Sequence, residues 1–236
     1  NPLRIIDLTD FFQRCTFKPF HGKTVRAIKV HADMSKGFHE KLLKFAQSIG
    51  MGGLGYLEVM EDKSYKGPID KFIPDDMKEE IRETAGLEVG DTIFFIADNE
   101  KNAALYAGQI RTALGERLDL IEKNSFKFCY INDFPMYEYD KETKKMEFTH
   151  NPFSMPQGGL EALETMGPEE ILAYQYDIVC NGVELSSGAV RNHDMKIMVK
   201  AFEIAGYTEE DLKEKFGALY NAFQFGAPPH AGMAPG

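Results

Sequence analysis

An Asn181-Gly182 dipeptide between two runs of apolar residues constrains the fold more than any other feature of this sequence. Asn-Gly in this context is typical of a β-hairpin with a type I′ turn, because both turn residues of that type need positive φ angles. A two-residue loop also sets the pairing of the strands. It predicts three cross-strand pairs: Cys180 with Val183, Val179 with Glu184, and Asp177 with Ser186.

Two acidic residues of this hairpin are predicted to share one face. With the pairing above, Asp177 and Glu184 are diagonal neighbours on the same side of the two strands. Two carboxylates held by a rigid hairpin suit Mg²⁺, which takes few protein ligands and keeps other positions for water and phosphate oxygens. The alternative is a solvated acidic face with no ligand, which is the more common role of an acid pair on a hairpin.

Arg191 follows the same hairpin. It lies seven residues after Glu184, so strict alternation would place it on the opposite face. The Ser-Ser-Gly run at 186–188 could hold a β-bulge that turns it back. A guanidinium on the acidic face could then bind a carboxylate through two hydrogen bonds. The alternatives are that Arg191 caps a helix or pairs with Asp194.

Composition limits the class of protein. The chain has 236 residues, 43% hydrophobic and 27% charged, with a formal net charge of −10. This acidic balance argues against a broad nucleic-acid-binding surface, which would have a basic excess. The three cysteines are odd in number and far apart, which is typical of a reduced, cytoplasmic protein. No apolar run is long enough to predict a membrane span.

The first half of the sequence predicts a compact α+β accessory domain, without a cluster of catalytic residue types. Hydrophobic periodicity and turn residues define its elements. They are strands at 24–31, 54–60 and 91–98, and helices at 38–49, 75–84 and 99–118.

The composition of the sequence changes near residue 120, where the second half begins. An aromatic-rich segment at 126–139 contains Pro135, which predicts an edge strand or a bend. Strands are predicted at 145–150 and 174–180, with a loop at 151–159 between them. Two helices follow. The second begins at the cap Thr208 and ends at Gly226.

Five segments of the second half carry motifs in a fixed order and spacing. They are Asp133-Phe-Pro135, His150-Asn-Pro-Phe-Ser154, Tyr176-Asp-Ile-Val-Cys-Asn-Gly-Val-Glu184, Ser187-Gly-Ala-Val-Arg191 and Pro228-Pro-His-Ala-Gly232. Together they resemble bacterial aspartyl-tRNA synthetase, a class II enzyme. The region from about Phe17 to Arg117 is similar to the insertion (GAD-type) domain of that family, also found in glutamyl-tRNA amidotransferase subunits.

The resemblance implies the fold. It predicts an α+β chain with an α/β insertion domain at 1–122, followed by part of a class II antiparallel-sheet catalytic domain at 123–236. His150 is followed by Asn151 where many relatives have a second histidine, so the resemblance assigns no role to that position.

The resemblance also implies the site. The residues implied to hold Mg²⁺ are Asp177, Glu184 and Ser187. Those implied to contact ATP are Glu184 and Gly236, and those implied to bind the amino acid aspartate are His150 and Arg191. The alternative is that His150 is a loop histidine with no such task.

The implied reaction activates aspartate with ATP and transfers it to tRNA, in a parent enzyme that is a homodimer. The anticodon-binding barrel, the dimer-forming first motif and the second motif have no match in this sequence, and the third motif breaks off at Gly236. We therefore expect an internal segment of a longer polypeptide that is inactive by itself. The alternative is a free-standing GAD-type module that binds tRNA or protein, related to the amidotransferase subunits.

Overall fold

The computed structural model describes residues 1–32 and 34–236, which form two compact units. Unit 1 comprises Asn1–Lys123 and unit 2 comprises Asn124–Gly236. All strand pairs in both units are antiparallel in the part of the chain that the structure describes, so the predicted α+β class is confirmed. Within those same residues, no helix is long and apolar enough to cross a membrane.

Unit 1 is a five-stranded sheet covered by helices. The sheet order is β1-β2-β5-β3-β4. Its strands are β1 (Ile5–Asp7), β2 (Thr24–His31), β3 (Gly55–Val59), β4 (Tyr65–Lys66) and β5 (Asp91–Asp98). Its helices are α1 (Thr9–Arg14), α2 (Lys36–Ser48), α3 (Lys78–Ala85) and α4 (Glu100–Arg117), and 3₁₀ turns lie at Lys18–Phe20, Asp70–Phe72 and Asp75–Met77.

The central strand β5 is buried on both faces. Successive side chains of a strand point to opposite sides, and here both sides are apolar. Ile93 and Phe95 belong to one core cluster with residues of α1 and α3. Phe94 and Ile96 belong to a second cluster with residues of α2 and α4. Unit 1 therefore closes its sheet between two helical layers.

Unit 2 is built on a four-stranded sheet and a separate two-stranded hairpin. The large sheet has the order β11-β10-β9-β6, and β7 pairs with β8. The strands are β6 (Phe128–Pro135), β7 (Tyr137–Asp140), β8 (Lys145–Phe148), β9 (Leu172–Cys180), β10 (Val183–Val190) and β11 (Ala231–Pro235). The helices are α5 (Gly159–Thr165), α6 (Met195–Ile204) and α7 (Glu209–Gln224), with a 3₁₀ turn at Pro168–Glu170.

The core of unit 2 lies mainly among α5, α6, α7 and the small hairpin. One cluster joins Tyr137 to Leu163 and Ala201, and another joins Phe202 to Leu212. The large sheet is less covered, and β6 forms its edge with most side chains exposed. Pro135 lies at the end of this edge strand, where a missing backbone donor is tolerated.

Most predicted elements are confirmed. The strands at 24–31 and 91–98 have the expected bounds, and the Thr208 cap accepts from Asp211 N at 3.1 Å. The elements that sequence reasoning missed include β1, β4, α1, α5 and β11. The first four have two to seven residues each, too few for a clear periodicity. β11 consists of Ala, Gly, Met and Pro, which have little strand preference; it forms because β10 offers it an edge.

Candidate functional site

The β9–β10 hairpin turn has the predicted geometry. Asn181 and Gly182 have φ angles of 52° and 84°, both positive as a type I′ turn requires. The Asn181 side chain also fixes the turn to the chain before β6, since its Oδ1 accepts from Lys127 N at 3.0 Å and its Nδ2 donates to Ser125 O at 2.9 Å. The predicted pairs Cys180–Val183 and Val179–Glu184 are confirmed.

The third predicted pair, Asp177 with Ser186, is wrong. The register shifts between Glu184 and Ser186, and Asp177 pairs with Ser187 instead. The physical reason is a β-bulge that inserts Leu185 as an extra residue in β10. Leu185 O accepts a hydrogen bond from Gly236 N at 3.0 Å, so the residue directly after β11 satisfies the carbonyl of the extra residue.

The bulge changes which side chains share a face. Ser187 now lies opposite Asp177, and Ala189 lies opposite Gln175. Alternation continues from Ser187 to Arg191, so Arg191 returns to the side that carries Glu184. We call this side the carboxylate face; its members are Gln175, Asp177, Glu184, Ser187 and Arg191. The bulge that could turn Arg191 back therefore exists, directly before the Ser-Ser-Gly run and not within it.

The charged groups of the carboxylate face have no protein partner within residues 1–32 and 34–236. Among the residues that the structure describes, neither the Asp177 nor the Glu184 carboxylate forms a hydrogen bond or ion pair, and the same holds for the Arg191 guanidinium. Asp194, the alternative partner of Arg191, instead caps α6 by accepting from Lys196 N at 2.8 Å. The alternative of an Arg191–Asp194 pair is therefore wrong.

The oxygen donors on this face fit a hard divalent cation. Asp177 and Glu184 supply two carboxylates, and Ser187 supplies a hydroxyl directly opposite Asp177. In the described part of the chain, no group of three or more His, Cys, Asp or Glu side chains could hold a metal ion. A cation here would need water and ligand oxygens to complete its shell, which suits Mg²⁺ better than a metal bound only by protein.

A second strand-like segment supports Arg191. Beyond Ala189, β10 separates from β9, and residues 153–157 fill the gap between them. Met155 N donates to Val190 O and Asn192 N donates to Phe153 O, both at 2.8 Å. Ser154 and Arg191 are thereby paired as an antiparallel β-bridge. On the other side, Arg191 N donates to His230 O at 2.9 Å. The backbone of Arg191 is thus held from both sides.

Sequence reasoning missed one polar group on this face. Gln175 is buried, and its Nε2 donates to Ser154 Oγ at 2.7 Å and to Asn151 O at 3.1 Å. The only sequence signal is its spacing of two residues from Asp177, which places both side chains on one side of a strand.

His150 lies apart from these contacts. It is exposed, and its ring packs edge-to-face against Phe134 with centroids 5.0 Å apart. It lines a cavity of about 600 Å³ with residues that include Phe148, Gly206 and Tyr207. No contact among the described residues joins His150 to Arg191. The structure thus brings together every implied site residue of the hairpin but does not bring His150 to them.

The family model for class II tRNA synthetases (D, K and N) matches residues 3–236. The chain belongs to this family. Because the match includes both units, the alternative of a free-standing GAD-type module is not favoured.

Its relatives within the family are more specific. The chain is 52% identical over 243 residues to the aspartate–tRNA(Asp/Asn) ligase of Ehrlichia ruminantium (strain Gardel), and 51% identical over 247 residues to that of Rickettsia africae (strain ESF-5). These alignments cover 100% of this chain but 41% of each relative, so the chain spans less than half the length of these ligases. An aspartyl-tRNA synthetase structure from Entamoeba histolytica covers 91% of the chain, and 38% of that structure is covered, with 19% identity and a TM-score of 0.36.

Proposed function

We propose that this chain carries the aspartate-binding and Mg²⁺–ATP-binding side chains of an aspartate–tRNA ligase. One observation carries the proposal: the Leu185 bulge brings the Arg191 guanidinium to the face of the β9–β10 hairpin that carries the Asp177 and Glu184 carboxylates, and none of these three groups has a partner among the described residues. Such a face can receive a ligand of mixed charge. The names of the relatives support aspartate as the amino acid.

Each charged group has a distinct task in this proposal. Arg191 binds the side-chain carboxylate of aspartate through its planar fork, which suits a carboxylate better than a lysine would. Asp177, Glu184 and Ser187 hold Mg²⁺, which when bound neutralises charge on the phosphate oxygens of ATP. The backbone of Gly236, next to the bulge, borders the ATP site, and His150 contacts the bound amino acid.

The reaction follows from these positions. An oxygen of the aspartate α-carboxylate attacks the α-phosphorus of ATP, giving aspartyl-adenylate and pyrophosphate. A ribose hydroxyl at the tRNA 3′ end then attacks the acyl carbon, and AMP leaves. The first step is phosphoryl chemistry, which depends on positioning and charge neutralisation more than on a general base.

Aspartate-dependent exchange of labelled pyrophosphate into ATP tests the proposal. The full-length protein that contains this chain should catalyse the exchange with aspartate and Mg²⁺. Exchange that depends on lysine or asparagine instead of aspartate would contradict it, because those amino acids lack a side-chain carboxylate for Arg191.

The proposal extends to the units and partners. Unit 1 corresponds to the GAD-type insertion domain expected at 1–122, and unit 2 to part of the catalytic domain expected at 123–236. The full-length protein acts in the cytoplasm as a homodimer, and sedimentation of the full-length protein would test the dimer.

Since both relatives are named for tRNA(Asp/Asn), we propose that the full-length protein charges both tRNAs. Aspartylation of purified tRNA(Asn) is the test.

A further inference from the structure

A buried amide connects the carboxylate face to the loop beside it. Gln175 is 8% exposed, and Ser154, its hydrogen-bond partner, is 0% exposed. The two contacts of Gln175 Nε2 end on a hydroxyl oxygen and on a backbone carbonyl oxygen. Because a carbonyl only accepts, the NH₂ end of the amide must face the loop.

The register explains how Gln175 reaches this loop. Gln175 lies opposite Ala189, which is buried and small. Beyond Ala189, Ser154 takes the position opposite Arg191. Gln175, Ser154 and Arg191 therefore lie next to one another on the carboxylate face.

Ser154 links the amide to the backbone that carries the guanidinium. Its neighbours Phe153 and Met155 hydrogen-bond to the residues on either side of Arg191. Loss of the Gln175 amide would remove the hydrogen bonds that hold Asn151 and Ser154, and would so loosen one of the two supports of Arg191. The other support, from His230 O, would remain.

We propose that Gln175 is a positioning residue that holds Arg191, through Ser154, in the orientation that binds the aspartate side chain. This inference rests on the proposed function, since it assigns to Arg191 the role of binding aspartate. Gln175 touches neither substrate in this account. Its effect falls on the use of aspartate and not on the use of ATP.

The variant Gln175→Met tests this in the full-length protein, by pyrophosphate exchange with each substrate varied in turn. Met keeps the volume of the side chain and removes the amide. We expect KM for aspartate to rise roughly tenfold, because a loosely held binding group loses much of its contribution. KM for ATP should stay within about twofold of the parent value.

A double variant separates positioning from stability. Gln175→Met leaves the buried Ser154 hydroxyl without its donor, which lowers stability; adding Ser154→Ala removes that unsatisfied group. The double variant should regain thermal stability while its KM for aspartate stays high. Recovery of both together would overturn the proposal, because the single variant would then have acted through stability alone.

Gln157 provides a matched control on the same segment. Its Nε2 donates to Asp133 Oδ1 at 2.7 Å, away from Arg191. Gln157→Met should leave KM for aspartate within about twofold of the parent. An equal rise in both glutamine variants would show a general loosening of the loop and would overturn the inference.

Arg191→Lys, assayed in parallel, separates this inference from the proposed function. A strong effect of Arg191→Lys on aspartate use with no effect of Gln175→Met would overturn only the role of Gln175. If Arg191→Lys also leaves aspartate use unchanged, the proposed function itself fails.

Discussion

The sheets of the two units differ in how they treat their carboxylates. In unit 1, Asp91 on β5 is buried and accepts from His31 Nδ1 at 2.8 Å, with Lys29 Nζ at 3.3 Å. In unit 2, Asp177 on β9 has no such partner among the described residues. A buried carboxylate must be paired to be tolerated. A partly exposed carboxylate is solvated by water and remains available to bind a ligand. The comparison indicates that unit 1 uses its charges for its own fold.

The two units also differ in how deeply they bury their aromatic side chains. Phe12 of unit 1 is fully buried, and its ring lies 5.0 Å from the ring of Phe95. In unit 2, Phe128 and Tyr130 on β6 are 64% and 67% exposed. Unit 1 is therefore closed around its own core, and the large sheet of unit 2 is an accessible surface.

The largest expected effect concerns the 236-residue chain tested by itself. We expect it to show no aspartate-dependent pyrophosphate exchange. In the part of the chain that the structure describes, Arg191 is the only arginine of the carboxylate face, and it is assigned to aspartate. That leaves no guanidinium there for the triphosphate, whose charge must be neutralised.

The full-length protein is the control for this experiment. Exchange by the 236-residue chain at a rate on the order of 1 s⁻¹ or more, which is typical of enzymes, would contradict the prediction. It would mean that the open sheet of unit 2 already forms a complete site.

A pair of alanine variants tests the contrast between closed and open surfaces. Phe12→Ala should lower the free energy of unfolding by about 3–5 kcal/mol, because it leaves a cavity among buried rings. Phe128→Ala should change it by less than about 0.5 kcal/mol, as exposed substitutions usually do. Urea denaturation of both variants measures the difference. Equal losses would show that the β6 surface is as well packed as the core of unit 1.

The sequence predicts the elements of this molecule better than it predicts the site. The 24–31 strand follows from its alternation, the 91–98 strand follows from a short continuous apolar run, and the turn at Asn181 follows from the φ angles that Asn-Gly tolerates. The place of Leu185 in the bulge does not follow from sequence, because it involves a non-local hydrogen bond from Gly236 N, directly after β11, to the Leu185 carbonyl. The contact of Gln175 with Ser154 also depends on a non-local pairing.

The smallest expected effect concerns cysteine reactivity. Burial raises the pKa of the Cys15 thiol in unit 1 to about 11, so little thiolate forms at pH 8 and the side chain is also inaccessible. Cys129 on β6 is exposed. A thiol reagent such as Ellman's reagent should therefore label Cys129 well before Cys15. Mass spectrometry of the modified peptides gives the order, and early labelling of Cys15 would contradict the closed core of unit 1.

The division of labour on the carboxylate face is the central claim, and one paired measurement tests it most directly. Arg191→Lys and Glu184→Gln are assayed in the full-length protein by pyrophosphate exchange, with aspartate and ATP varied separately. Arg191→Lys keeps the charge but loses the planar fork. Losing a hydrogen bond to a charged partner costs roughly 1.5–3 kcal/mol, which is on the order of 10- to 100-fold in the affinity for aspartate. The use of ATP should stay nearly intact.

Glu184→Gln should show the reverse pattern, with impaired use of Mg²⁺–ATP and a smaller effect on aspartate. Equal effects of both variants on both substrates would contradict the division of labour, and no effect of either would make the hairpin a solvated turn.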